Sequence, residues 1–283
     1  MLQQHAGNHT SRALPPRLFL LLYVVGTFGL AWLFWTPLVL VEYGIVKIPI
    51  SSTLLIVVGT YAPTLTALGL TTWQSGRRGL RTLLGQALRW RVGYRWYMIA
   101  LCGPALIMGG AVALHILLGG TPPHFPRLQR WPLVLINFVA VLLIGGPFGE
   151  EFGWRGLALP VLQQRLDMVQ TSVVLGTMWS FWHLPLFFVS STPQHALPFG
   201  VYVAQTLALS IIFTWLYTRT RGSLLIILLA HTAINTWAQP LGILPELTGS
   251  LRPYMLSTIL LWVGAITVLY HGATQRIAHV STR

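Results

Sequence analysis

The sequence predicts an all-α fold: a polytopic membrane bundle of about eight transmembrane helices with both termini in the cytoplasm. Three observations predict it. Hydrophobic residues make up 54% of the 283-residue chain and charged residues only 8%, for a mean hydropathy of +0.66. A soluble domain carries about a quarter charged residues, so this chain cannot cover itself with polar surface and its solvent is largely lipid. The apolar residues also fall into eight runs, each near the roughly 20 residues that cross a bilayer as a helix. Finally, Lys and Arg concentrate in alternate gaps between the runs, as cytoplasmic loops do.

The first run, 18–41, is too long for a signal-peptide core and no small-residue cleavage site follows it, so it reads as a retained span. The others lie near 48–73, 97–119, 132–149, 169–190, 198–218, 223–243 and 254–271. After the second comes "RRGLRTLLGQALRWRVGYRW", in which Leu80, Leu84 and Leu88 recur every four residues among Arg77, Arg78, Arg81 and Arg89. This pattern predicts an interfacial amphipathic helix on the anionic cytoplasmic leaflet. Its plain role is a topology anchor; its sharper one is a docking site for substrate tails. The fourth run can continue through "EEFGWRGLALPVL" as one long, locally broken helix, since Gly145, Gly146, Pro147 and Gly149 favour a bend. No repeat, low-complexity tract or long linker divides the chain, so 1–283 reads as a single membrane domain.

With the N-terminus inside, fourteen basic residues fall in inside segments: Arg12, Arg17, Arg77, Arg78, Arg81, Arg89, Arg91, Arg95, Arg155, Arg165, Arg219, Arg221, Arg276 and Arg283. Only Lys47, Arg127, Arg130 and Arg252 fall outside. An odd number of spans would scramble this bias. The net charge of +13 invites a nucleic-acid partner, but arginines scattered between apolar runs are membrane flanks, and none is predicted. The single Cys102 excludes an internal disulfide and a CxxC metal knuckle.

The chain has only five acids, Glu42, Glu150, Glu151, Asp167 and Glu246, and two of them stand side by side in "GPFGEEFGWRG" at the end of the fourth run. Ionisable groups in a span are costly and mark function by default. His183 lies in "WSFWHLPLF", and His231 and Asn235 lie in "LLAHTAINTWA", four residues apart and so on one helix face. Each has a plainer role: a solvated span end for the carboxylates, a core imidazole for His183, interhelical hydrogen bonding for His231 and Asn235. His115, His271 and His279 take that plainer role. Arg155, four residues after Glu151, has the spacing of an intrahelical ion pair that neutralises Glu151.

Adjacent helical side chains diverge by about 100°, so one glutamate is expected to face the bundle interior beside the histidines while the other turns to Arg155. An interior carboxylate shielded by lipid-facing walls suits a general base for water, and a nearby His can share that water's proton. An imidazole and an amide one turn apart can both donate to a developing oxyanion. Together these groups can hydrolyse an amide bond without a Ser or Cys nucleophile.

"EEFGWR" fits the motif EExxxR, His183 with the following Leu-Pro fits a second motif, and "HTAIN" fits HxxxN. In this the chain resembles the CPBP family, the CAAX proteases and bacteriocin-processing enzymes, also known as the Abi or type II CAAX prenyl endopeptidase family. The resemblance covers residues 132–240, in motif order. One departure is visible: the family usually has Phe four residues before its second-motif His, where this chain has Trp179. The resemblance implies an intramembrane endopeptidase in which Glu150 and His183 activate water while His231 and Asn235 stabilise the oxyanion. It also implies a peptide or protein substrate, with a C-terminal lipid where that substrate is of CAAX type; the expected location is the plasma membrane, with the site opening to the cytoplasm.

Members are commonly labelled metalloproteases. Metal-free water activation is the preferred expectation here, and a mixed zinc site of Glu150, Glu151, His183 and His231 is the alternative. The competing functions are a non-catalytic, peptide-binding bacteriocin-immunity protein and a proton-relaying transporter. The absence of repeated halves disfavours the transporter.

Overall fold

The computed structural model describes residues 14–123 and 131–280, with side chains described as far as His271 except those of Trp131 and Pro132. Of the residues used for the charge count, Arg12, Arg127, Arg130 and Arg283 lie outside the described residues, as does the side chain of Arg276; the side chain of His279 lies outside them too.

All eight expected apolar runs are helical. α1, Pro16–Glu42, starts with Pro in its first turn, where the missing N–H costs nothing. Its buried residues Phe19, Tyr23, Thr27, Ala31 and Trp35 recur every four positions, while Leu21, Val25 and Leu33 are 56%, 60% and 66% exposed. One stripe thus packs inward and the leucine-rich side is left for lipid.

The second run is not one straight helix. α2, Ser52–Thr60, and α3, Ala62–Gly85, meet at Tyr61 with a bend of 41°. Pro63 in the first turn of α3 cannot continue the hydrogen-bond ladder of α2. α3 kinks again at Gly76, whose φ of 57° is left-handed, and the arginine-rich segment beyond it is helical to Leu88. There Leu83 is buried while Leu84 and Leu88 are exposed, leaving an unpartnered leucine face beside the arginines. α4, Tyr94–Leu117, follows, with His115 buried against the Thr121 carbonyl at 3.2 Å.

The fourth run breaks where its glycines suggest. α5, Trp131–Leu143, ends before Gly146, and α6, Pro147–Gly153, restarts on Pro147. A π-helical turn, Trp154–Ala158, carries it into α7, Leu159–Leu162. α8, Met168–Trp182, is capped by Asp167, whose Oδ1 accepts the Gln170 N–H at 2.8 Å. α9, Phe199–Arg219, and α10, Leu224–Ala238, come next. The single turn α11, Pro245–Thr248, precedes α12, Arg252–Val280.

Five stretches are long and apolar enough to cross a membrane: Pro16–Glu42, Tyr94–Leu117, Leu133–Leu162, Phe199–Arg219 and Arg252–His271. The bent pair α2–α3 makes a sixth. α8 and α10 stop at 15 residues each, about 22 Å against a hydrocarbon core of about 30 Å. Both are cut short by proline. The residue before a proline disfavours the α region, and Leu184 before Pro185 and Gln239 before Pro240 follow the two helix ends closely. These two short helices are the ones that lead to His183 and carry His231.

The core that joins these helices is aromatic. Trp35, Trp154 and Trp182 are fully buried, with ring centroids 4.7 Å apart for Trp35–Trp182 and 6.0 Å for Trp154–Trp182. Trp32 donates its indole N–H to the Trp182 carbonyl at 2.9 Å, which fixes α1 to the end of α8.

Candidate active site

The site begins at the α5–α6 break. Gly146 adopts φ 121°, a conformation that only glycine enters readily. A Cβ there would stand 2.6 Å from Glu150 Oε1 and 3.8 Å from Asn235 Nδ2. The residue must therefore be glycine both for its backbone and for the carboxylate pressed against it. Gly149 and Gly153, one turn apart, let α6 lie directly on the α2–α3 bend: added Cβ atoms would meet the Thr60 carbonyl at 2.8 Å and the Pro63 carbonyl at 2.5 Å. This is the close small-residue packing expected between helices in lipid.

Glu150 and Glu151, consecutive on α6, are both buried and point to different partners. Glu150 Oε2 accepts the indole N–H of Trp179 on α8 at 2.6 Å. Glu151 Oε1 accepts from Arg155 Nη1 at 3.0 Å and pairs with His231 Nδ1 at 2.7 Å. The ion pair with Arg155 is the expected one. The carboxylate bonded to a histidine, however, is Glu151 and not Glu150, so the glutamate turned to Arg155 also grips the third motif. The reason lies in α10, which passes α6 on the side facing Glu151.

Arg155 sits in the π-helical turn, fully buried, its guanidinium 4.5 Å over the Trp179 ring and 5.0 Å over Phe213. Such turns disturb the i→i−4 ladder, and the Gly156 carbonyl is instead met by Gln86 Nε2 at 3.0 Å. Two aromatic faces and a carboxylate keep this charge at membrane depth.

His183 is not inside a helix but caps the C-terminal end of α8. Its Nδ1 lies 2.9 Å from the Trp179 carbonyl. A carbonyl only accepts, so Nδ1 carries the proton and Nε2 of the neutral ring is an acceptor. Trp182 at 4.5 Å and Tyr202 at 5.5 Å stand edge-on to the imidazole, and Trp35 stacks at 6.2 Å.

A cavity of about 500 Å³ unites the motifs: Glu150, His183, His231 and Asn235 all line it, with Trp179 and Gly145. Asn235 is half-buried, its Nδ2 3.4 Å from the Gly145 carbonyl. Glu151 and Arg155 do not line the cavity and stand behind its wall. The far wall brings residues that sequence reasoning missed: Tyr202, Gln205 and Tyr254, the last donating its hydroxyl to Gln205 Oε1 at 2.5 Å. Trp179 was legible only as an aromatic at an unusual place, and its spacing of four from His183 was the signal that it shares the site.

The set Glu150, Glu151, His183 and His231 does not converge as metal ligands. Among the described residues no three His, Cys, Asp or Glu side chains gather around one point at ligand distance. Glu151 Oε1 already serves both Arg155 and His231. The arrangement suits acid–base chemistry on a water held between a carboxylate and an imidazole acceptor, with N–H donors from α10 opposite.

Two comparisons bear on this geometry. A family model described as type II CAAX prenyl endopeptidase Rce1-like matches residues 130–237, which run from the start of α5 to the end of α10 and hold all three motifs. CAAX prenyl protease 2 of Methanococcus maripaludis is 30% identical over 178 residues, a match that covers 58% of this chain and 63% of that relative. The chain thus spans less than two thirds of the relative's length. EExxxR, the second-motif histidine and HxxxN thus meet around one cavity in an apolar helical bundle, within the stretch that the type II CAAX prenyl endopeptidase Rce1-like model matches.

Proposed function

We propose that the chain is an intramembrane endopeptidase of the CAAX prenyl protease type, with residues 132–240 as its catalytic core. The observation that carries this is the convergence of Glu150, His183, His231 and Asn235 on one cavity within an otherwise apolar bundle. In the proposed reaction Glu150 takes a proton from water as the water oxygen bonds to the scissile carbonyl carbon. His183 Nε2 accepts the water's other hydrogen and aims its lone pair. The carbonyl π electrons move to oxygen, where Asn235 Nδ2–H and His231 Nε2–H donate. As the tetrahedral species collapses the C–N bond breaks, and the proton held by Glu150 passes to the leaving amine.

His231 carries a condition. Its Nδ1 proton is committed to Glu151, so a donor at Nε2 requires the imidazolium. Two carboxylates, one guanidinium and one imidazolium then sum to zero charge, which suits a buried cluster. Glu151 acts through His231 and Arg155 and is a positioning residue.

The substrate is a peptide or protein reached from the membrane; a C-terminal lipid is the specific case that the family resemblance and the relative's name favour. The arginine bias supports a site opening to the cytoplasm at the plasma membrane. Glu150→Gln keeps the shape and removes the base. Comparing membrane proteomes of wild type and Glu150→Gln is expected to reveal uncleaved substrates that accumulate in the variant. Purified protein is expected to cleave a prenylated Cys-a-a-X peptide faster than its unlipidated form. If Glu150→Gln leaves every phenotype unchanged, the chain is a peptide-binding immunity protein instead.

A further inference from the structure

Away from the catalytic cavity, a second concavity of about 610 Å³ lies between the segment after α3 and the α9–α10 turn. Arg89, Arg91, Arg95, Arg219 and Arg221 line it, with no carboxylate among the lining residues. None of the five acidic side chains lines the concavity. Of its five acids, Glu150 and Glu151 are buried in the catalytic site, Asp167 caps α8, and Glu42 and Glu246 belong to α1 and α11. Like charges held this close repel, and an anion in the concavity relieves that repulsion.

The concavity is built rather than a chance gathering of long side chains. Arg89 Nη1 donates to the Arg221 carbonyl at 2.7 Å, and Ser223 Oγ donates to the Arg89 carbonyl at 2.6 Å, tying its two walls together. Tyr97 donates to the Trp90 carbonyl at 2.6 Å. The guanidinium carbons of Arg91 and Arg95 lie 5.1 Å and 4.8 Å from the centres of the Trp90 and Trp96 rings, which limits the freedom the planar forks lose on binding. Arg221 has φ 55°, the one non-glycine with positive φ among the described residues, so its place is bought with backbone strain. Trp90, which is exposed, is of a residue type enriched at membrane interfaces. Beside it lies the exposed leucine face of Leu84 and Leu88, which suits a leaflet surface.

We propose that this pocket binds the phosphate group of an anionic lipid headgroup. Guanidinium forks match phosphate oxygens in bidentate pairs, and basic pockets between transmembrane helices suit such headgroups. The site is independent of the catalytic reading.

The test uses the full chain in neutral detergent and follows its melting temperature with three additions: short-chain phosphatidylglycerol, phosphatidylcholine of equal chain length, and inorganic phosphate. Phosphatidylglycerol is expected to raise Tm by about 5 °C near 100 times its Kd, and the other two by far less. The double variant Arg95→Gln/Arg221→Asn, in which Asn tolerates the left-handed backbone, should lose the shift. Arg77→Gln/Arg78→Gln, basic positions outside the pocket, should keep it. Equal stabilisation by phosphatidylcholine or by free phosphate overturns the lipid-headgroup site, as does equal loss in the two double variants. Should the pocket variant not fold, Arg91→Gln decides alone, and an undiminished shift in it overturns the proposal.

Discussion

Trp179 donates its indole N–H to Glu150 Oε2 at 2.6 Å while its ring lies under the Arg155 guanidinium. One side chain thus holds the proposed base with its edge and the structural cation with its face. Phenylalanine, the residue expected at this position from the family pattern, can do only the second.

Trp179→Phe separates the two roles. The ring contact with Arg155 survives and the hydrogen bond to Glu150 does not. A hydrogen bond to a charged group contributes about 1.5–3 kcal/mol, so kcat is expected to fall about 10- to 100-fold with KM within about twofold. Steady-state kinetics on a cleavable peptide measure this. A variant with wild-type kcat would show that the indole only packs.

Glu151→Gln leaves Arg155 buried without its carboxylate and His231 without a charged partner at Nδ1. Removing one member of a buried pair costs roughly 3–5 kcal/mol, so lower accumulation and a lower melting temperature are expected. Adding Arg155→Gln should recover part of the stability and none of the activity, because His231 stays unanchored. Glu151→Gln protein with normal yield and a wild-type melting profile would refute the structural assignment.

Much of this was legible in the sequence because lipid makes polar residues conspicuous. Two adjacent glutamates among five acids, and an i,i+4 His–Asn pair in an apolar run, need no alignment to be noticed. The break before Pro147 was legible too, since glycine and proline act locally. What packing decides was not legible. The 2.7 Å contact of Glu151 with His231 joins residues 80 apart, and the Trp179–Glu150 bond joins residues 29 apart. The bend at Tyr61 escaped notice because hydropathy runs on across it, although Pro63 was there to be weighed.

Gly146→Ala is expected to injure chemistry beyond its effect on folding. Its φ of 121° disfavours any L side chain, at a cost of about 1–3 kcal/mol, and the new methyl would collide with Glu150 Oε1. Activity per folded molecule should fall at least about 10-fold, since a displacement near 1 Å is costly in a positioned site. Rates normalised to the folded fraction from a melting curve measure it, and an unchanged normalised rate would mean that Glu150 does not need this seat.

Orientation is tested by reporter fusions after residues 96 and 283. If, as the arginine bias predicts, both ends and the 74–96 segment face the cytoplasm, reporters active only in that compartment should be active at both sites. Activity of a reporter confined to the opposite side at either point would reverse the topology.

The division of labour across the cavity gives the sharpest contrast. Glu150 and His183 come from the first two motifs, on α6 and at the end of α8, whereas His231 and Asn235, the proposed donors, line the cavity one turn apart on α10. Loss of one oxyanion donor typically costs about 10²–10³ in rate. Asn235→Ala should therefore keep measurable turnover with near-normal substrate affinity, whereas Glu150→Ala should bind substrate and not turn it over. His231→Ala loses a donor and also releases Glu151, so its rate should fall below that of Asn235→Ala and its melting temperature should drop. A metal centre would behave otherwise, because losing Glu150, His183 or His231 would each release the ion and leave equally inactive protein. Stoichiometric zinc in the purified wild type, absent from His231→Ala, would overturn the assignment of water activation to Glu150 and His183.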